Sequence, residues 1–270
     1  MKDILTEIIA NKRIEVENKK TEVSLDSLIK SGKEKLMRPV TSMSQALKNS
    51  SSGIIAEFKR KSPSKGWLFP EAEVKNVLPF YEKNGATACS VLTDEKFFGG
   101  SIADLVKARE LVQLPLLRKD FIIDTYQLYE ARIAGADAVL LIASVLSEEE
   151  CLQLSETAHH LGLEILLEIH RAEEIQYLNR YVNMLGINNR NLATFHTTVE
   201  NSFSLIEKIQ QYTTKHGYSP VLVSESGISN PDMVKDLRSK GFNGFLIGEK
   251  FMKNNDPGES LKQFIGGITE

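Results

Sequence analysis

Four ionisable residues carry most of the chemistry that this chain offers. Glu57 and Lys59 stand in AEFKRKSPSKG, Lys119 in LPLLRKDF and Glu168 in ILLEIH. Each lies at the end of a short apolar run, and in an extended strand residues two apart share a face. Glu57 and Lys59 thus point the same way as Ile55, Lys119 with Leu117, and Glu168 with Leu166. Ionisable groups of both signs converging on one mouth suit acid–base work. Low-dielectric walls shift the pKa values of such groups toward acid–base use. The plainer alternative for Glu57 and Lys59 is a buried salt bridge, because an inward charged pair is costly without a polar ligand.

Other residues fit the binding of an anion. Asn188 and Arg190 in GINNRNL lie two apart, and a guanidinium offers planar, multidentate contacts to carboxylate or phosphate. VSESGIS and FLIGEKF each end in a small-residue turn running into a helix, at Ser226–Gly227 and Gly248–Glu249. Bare backbone at a helix start binds phosphate; tight-turn geometry alone is the alternative. The segment Lys61–Phe69 holds Ser62, Pro63, Ser64 and Gly66, turn chemistry in a loop long enough to close over a ligand. The histidines show no metal-ligand spacing: His159 and His160 adjoin, and His170, His196 and His216 are scattered. With no Walker loop and no Ser–His–Asp pattern, neither a metal nor a cofactor is expected.

The elements that must position these groups follow from periodicity. Strands are expected at Ile54–Lys59, Thr87–Thr93, Leu116–Asp120, Ala138–Ala143, Glu164–Ile169, Met184–Asn188, Val221–Ser226 and Gly244–Gly248. Helical spacing lies between them, as in Leu105, Val106, Arg109 and Val112, in Tyr126, Tyr129, Ile133 and Ala134, or in Met233, Leu237 and Lys240. This alternation predicts an α/β fold, a (β/α)8 TIM barrel. An open doubly wound sheet fits less well, since no GxGxxG follows the first strand. In a barrel the C-terminal strand ends and the loops after them build the active site, and the candidate acid–base and anion-binding residues sit there. Residues 1–50 stand outside the repeat. They carry an apolar stripe at Ile4, Leu5, Ile8 and Ile9, the charged stretch NKRIEVENKK, and helical patterns at Leu25–Ile29 and Ser44–Lys48. We expect a helical extension covering one barrel end, with a lid role as the alternative, packed on a barrel of residues 51–270 as a single domain.

Composition narrows the class. Among 270 residues, 33 Lys and Arg against 36 Asp and Glu give a net charge of −3, without the basic excess of a nucleic-acid protein. A hydrophobic share of 41% and a charged share of 26% exclude disorder. Cys89 and Cys151 form no CxxC pair, which fits a reducing compartment. The longest clean apolar run, Ala138–Ala143, is far too short to span a bilayer. A cytoplasmic protein acting on a small molecule, without nucleic acid or membrane and with a monomer as the working expectation, follows.

Seven stretches, IIAEFKRKSPSKG, SVLTDEKFFGGS, LLRKDFIID, LLEIH, GINNRNL, VSESGIS and FLIGEKFM, run in order over residues 54–252. Together they resemble the indole-3-glycerol phosphate synthase family, whose extra N-terminal helices the first residues also resemble. That family closes an indole ring from 1-(2-carboxyphenylamino)-1-deoxyribulose 5-phosphate, losing CO2 and water in tryptophan biosynthesis, and is a carboxy-lyase. The resemblance implies Lys119 as the acid that protonates the substrate ketone and Glu168 as stabiliser of positive charge or proton carrier. It implies Lys59, partnered by Glu57, as holder of an anionic group and proton donor in dehydration, and Asn188 as orienting the hydroxyls. Ser62 and Arg190 would contact polar groups, Ser226, Gly227 and Gly248 would cradle the phosphate, and Glu225 would reach the substrate from beside them. Phe97, Phe98 and Phe121 are candidates for an aromatic wall, or are packing. Glu249 departs from the small polar residue common in the family, which leaves a backbone contact there and puts the side-chain contact in doubt. The alternatives are another phosphate-binding barrel, such as phosphoribosylanthranilate isomerase, whose Cys/Asp pair is not matched here, or a non-catalytic sugar-phosphate-binding barrel.

Overall fold

The computed structural model describes residues 4–190 and 197–269. Its centre is a closed barrel of parallel strands: β1 (Ile54–Phe58), β2 (Ala88–Leu92), β3 (Leu116–Lys119), β4 (Ala138–Ile142), β5 (Glu164–Ile169), β6 (Met184–Asn188), β7 (Val221–Glu225) and β8 (Phe242–Ile247). Each strand pairs with the next in sequence, and β1 closes the ring on β8 through Ile54–Phe245 and its neighbours. The expected (β/α)8 barrel with an N-terminal helical extension is therefore the fold.

Strands buried on both faces read as continuous apolar runs. Alternate residues serve two cores: Ile54, Ala56 and Phe58 pack outward against the helices, whereas Ile55 points inside. Strand bounds match the sequence reading to within about a residue, except that β8 starts at Phe242 rather than Gly244. Exposed Asn243 broke the apolar run there, and the pairing register with β7 shifts at the same place. A 3₁₀ turn, Ala172–Tyr177, stands after β5 instead of an α-helix.

Among the described residues four helices precede β1: α1 (Ile4–Glu22), α2 (Leu25–Ser31), α3 (Lys33–Leu36) and α4 (Met43–Asn49). Ser24 and Ser42 start α2 and α4 by accepting the backbone N–H of Ser27 and Gln45, which satisfies donors that a helix leaves open. The extension was expected to cover one end of the barrel; it covers both. Met43 and Leu47 of α4 are wholly buried in the interior cluster with Ile55, Leu117, Leu166 and Val223. At the opposite end, Ile4, Leu5 and Ile8 of α1 face a cavity. An open barrel bottom leaves apolar side chains in water, which is sufficient reason for α4 to dock there. Among the described residues no helix is long and apolar enough to cross a membrane.

Candidate active site

The odd-numbered strands fill the barrel in tiers, as alternate-strand layers do. Ile55, Leu117, Leu166 and Val223 form an apolar tier. Two residues further along the same strands stand Glu57, Lys119, Glu168 and Glu225, which line a cavity of about 710 Å³ at the C-terminal strand ends. Lys59, Asn188 and Arg190 line it too.

The charges are close-set. Lys119 Nζ lies 3.5 Å from Glu168 and 3.6 Å from Glu225, and Lys59 Nζ donates to Glu57 at 2.5 Å. Burial opposes the charge on Lys119, but Glu168, Glu225 and Glu57 outweigh it and hold its pKa above the ordinary lysine value. Burial likewise works against ionised Glu57, yet Lys59, Lys119 and Arg190 keep it below the usual carboxylate range. Glu168 behaves the same way, with Lys119, His170 and an Asn188 hydrogen bond overcoming burial. Glu225 goes the other way: burial, reinforced by the neighbouring Glu168 charge, pushes it well above that range despite Lys119. The two neighbouring carboxyl groups are thus pushed in opposite directions by their surroundings.

Two glycines make room for this tier. A β-carbon on Gly186 would overlap the Glu225 carboxylate, and one on Gly248 would overlap that of Glu57. The space that Gly248 leaves is thus already taken by Glu57. Gly248 was expected to bare its backbone for phosphate; its contact with Glu57 gives a second requirement for glycine there.

At the rim, Arg190 Nη1 donates to Ser64 Oγ at 3.0 Å and Nη2 to Glu249 at 3.2 Å. Glu249 also pairs with Lys253. Burial resists its ionisation, but Lys253 and then Arg190 hold its pKa below the usual value. Ser226 has φ of 68°, a left-handed backbone outside glycine, which costs energy and persists only where surroundings enforce it. Asn189 Nδ2 does so by donating to the Ser226 carbonyl at 3.1 Å. Ser226 and Gly227 line the cavity, while Ser62 does not; it is buried, and Pro63, Ser64 and Lys65 take its place on the wall. Of the aromatic candidates, Phe98 and Phe121 face the cavity and Phe97 does not. His196 lies outside the described residues, as do Asn191 and Leu192 at the end of GINNRNL. Among the described residues, no three His, Cys, Asp or Glu side chains converge to hold a metal ion.

The family model for indole-3-glycerol phosphate synthase matches residues 5–264. The chain belongs to that family. It is 58% identical to the indole-3-glycerol phosphate synthase of Bacteroides thetaiotaomicron, over 99% of this chain and 100% of the relative. It is 42% identical to that of Prochlorococcus marinus subsp. pastoris, over 99% of this chain and 90% of the relative. Among solved structures, a mutant tryptophan synthase α-subunit from Pyrococcus furiosus superposes with a TM-score of 0.60 at 14% identity, over 82% of this chain and 98% of that one. At that identity the likeness concerns the barrel alone.

Several residues in or beside the cavity walls were not singled out by sequence reasoning. His170 was set aside as scattered, yet its Nε2 is 3.4 Å from Glu168; its place two residues after Glu168 was the available signal. Gly186, two before Asn188 on β6, was another. Lys12 and Asp120 were missed as well: Lys12 is wholly buried, although it sits in a stretch that reads as a solvated charged face. Its signal was the spacing of Ile8, Lys12 and Val16, four residues apart on one helix face.

Proposed function

We propose that this protein converts 1-(2-carboxyphenylamino)-1-deoxyribulose 5-phosphate into indole-3-glycerol phosphate, CO2 and water, as a cytoplasmic small-molecule lyase of tryptophan biosynthesis. The observation that carries the reading is the tier of Glu57, Lys119, Glu168 and Glu225 around one cavity, with Lys119 between two carboxyl groups. Family membership names the reaction, and the tier supplies groups for each of its steps.

Lys119 donates a proton to the ketone oxygen as the carboxylate-bearing aryl carbon attacks the ketone carbon, so a C–C bond forms and the oxygen becomes a hydroxyl. Glu168, kept ionised, stabilises the cationic ring and amine that result. Loss of CO2 restores the ring electrons; the hydroxyl then leaves as water with a proton from Lys59, which Glu57 holds in place, while the ring carbon next to the nitrogen gives up a proton to Glu168, so that the indole double bond forms. Glu225, neutral and 3.6 Å from Lys119, is placed to return a proton to it. Asn188 orients the ribulose hydroxyls, and Ser226, Gly227 and Gly248 meet the phosphate with backbone amides. Arg190, Lys65, Lys250 and Lys253 line the rim and supply the positive charge that an anionic substrate needs, since the ionised groups of the tier and Lys59 balance. Ring closure demands the aryl carbon near the ketone, so positioning supplies much of the rate. Phe98 and Phe121, with ring centroids 6.0 Å apart, offer the aromatic ring an apolar wall. Residues 1–50 act with the barrel of residues 51–270 as one catalytic unit.

The test is turnover of that substrate by the purified protein, followed by the appearance of indole fluorescence. A folded protein that binds the substrate without producing the signal is a silent sugar-phosphate-binding barrel, and the proposal fails.

A further inference from the structure

Lys12 is wholly buried on the barrel-facing side of α1, between Ile8 and Val16. Its ammonium pairs with Asp94 at 3.0 Å, Asp120 at 2.9 Å and Glu15 at 2.8 Å. Both aspartates follow strands that end at the mouth: Asp94 comes two residues after β2, and Asp120 directly after Lys119. A desolvated ammonium is costly unless opposite charges surround it. Here burial is outweighed by Asp120, Asp94 and Glu15, and its pKa is raised.

Each aspartate also fixes the backbone of an aromatic segment. The second oxygen of Asp94 accepts the Phe97 N–H at 2.8 Å, starting the turn Glu95–Phe98. Asp120 accepts the Phe121 N–H at 2.8 Å, and its other oxygen accepts from Thr93 at 2.6 Å and Arg118 at 3.1 Å. Phe98 and Phe121 are the cavity's aromatic pair. The Asp94 oxygen that faces Lys12 has no hydrogen-bond partner among the described residues, so the ammonium alone compensates it. Without that ammonium, two carboxylates would face one another and drive apart the segments that carry the two rings.

We infer that Lys12 is a positioning residue: from the N-terminal extension it clamps Asp94 to Asp120 and so sets the aromatic wall that receives the anthranilate ring of the substrate. The ligand part of this rests on the function proposed above. Lys12 is not among the residues that line the cavity, and it acts through the two aspartates.

Two measurements on the full chain test it. Native-state hydrogen exchange of Lys12→Met reads the clamp without any ligand: the Phe97 and Phe121 amides should lose protection tenfold or more relative to the β5 and β6 amides. Unchanged protection overturns the clamp. Calorimetric titration with anthranilate and, separately, with inorganic phosphate reads its purpose. The dissociation constant for anthranilate should rise tenfold or more in the variant, while that for phosphate stays within twofold. Equal losses of both ligands, or neither, overturn the positioning role, because a merely structural residue would not discriminate between them. If Lys12→Met does not fold, adding Asp94→Asn removes the facing charge: the tie between the two segments stays lost without the repulsion, so selective losses of about threefold are expected, and their absence overturns the clamp. Should the wild-type protein bind no anthranilate and turn over no substrate, the substrate reading fails, while the exchange experiment still decides the clamp.

Discussion

At the N-terminal end of the barrel, α4 drives Met43 and Leu47 among the inward side chains Ile55, Leu117, Leu166 and Val223, all wholly buried. At the C-terminal end, α1 brings Ile4, Leu5 and Ile8 over a cavity floored by Glu57, Lys119, Glu168 and Glu225. The same four strands supply both tiers, two residues apart. Moving along one strand by a single inward step thus passes from a dry core, where burial of apolar surface stabilises at about 25 cal/mol per Å², to charges that are costly to bury. The lower tier adds apolar burial, and the function proposed above puts the chemistry in the upper one, so substitutions at the two ends should separate stability from activity.

The largest expected effect is in the upper tier. Lys119→Met should lower kcat by about 10²–10⁴-fold, the usual worth of a general acid, while KM changes much less. Near-normal turnover in the folded variant would remove Lys119 from the proton-donor role. In the plug, Leu47→Ala should cost about 2–5 kcal/mol, as buried leucine truncations do. Chemical denaturation would measure it, and kcat at low temperature should stay within a factor of two. A large fall in kcat with stability intact would erase the division between the ends.

A smaller effect concerns the raised Glu225. The folded protein keeps that proton above the pH, about 4.3, at which an unfolded glutamate releases it. The folded state is therefore favoured at low pH and loses that margin as pH rises toward the folded-state pKa. Glu225→Gln mimics the protonated form, so its unfolding midpoint should exceed the wild-type value by a margin that widens from pH 5 to pH 9. A constant difference would place Glu225 among the ionised groups. The smallest effect is at the rim, where Lys253 draws Glu249 aside. Glu249→Ser should leave KM within about threefold, under ~0.7 kcal/mol; a larger change would bring the carboxylate into the substrate's path.

The upper tier was legible because strand alternation ties each charged residue to an apolar one two places earlier, as Lys119 is tied to Leu117. The lower plug was only half legible: the helical spacing of Ser44–Lys48 foretold a helix, but nothing in it told which end it would close. Lys12 was hidden for a physical reason. A lysine amid NKRIEVENKK reads as solvated, and two aspartates, distant in sequence and brought near by the barrel, join Glu15 in making its burial tolerable. Ser62 misled in the opposite sense, since loop position does not tell which serine of KSPSKG faces the cavity; Ser64 does.

The distance in sequence between Lys12 and its partners also sets an order of assembly. The extension is synthesised before the barrel, yet its lysine cannot shed water until Asp94 and Asp120 stand at the ends of finished strands. A helix synthesised first must therefore dock late, after loop closures that make long-range contacts slow to form. Pulse-labelled exchange during refolding should find the α1 amides protected after those of β2 and β3, so the chain completes its reactive mouth only once the barrel beneath it exists.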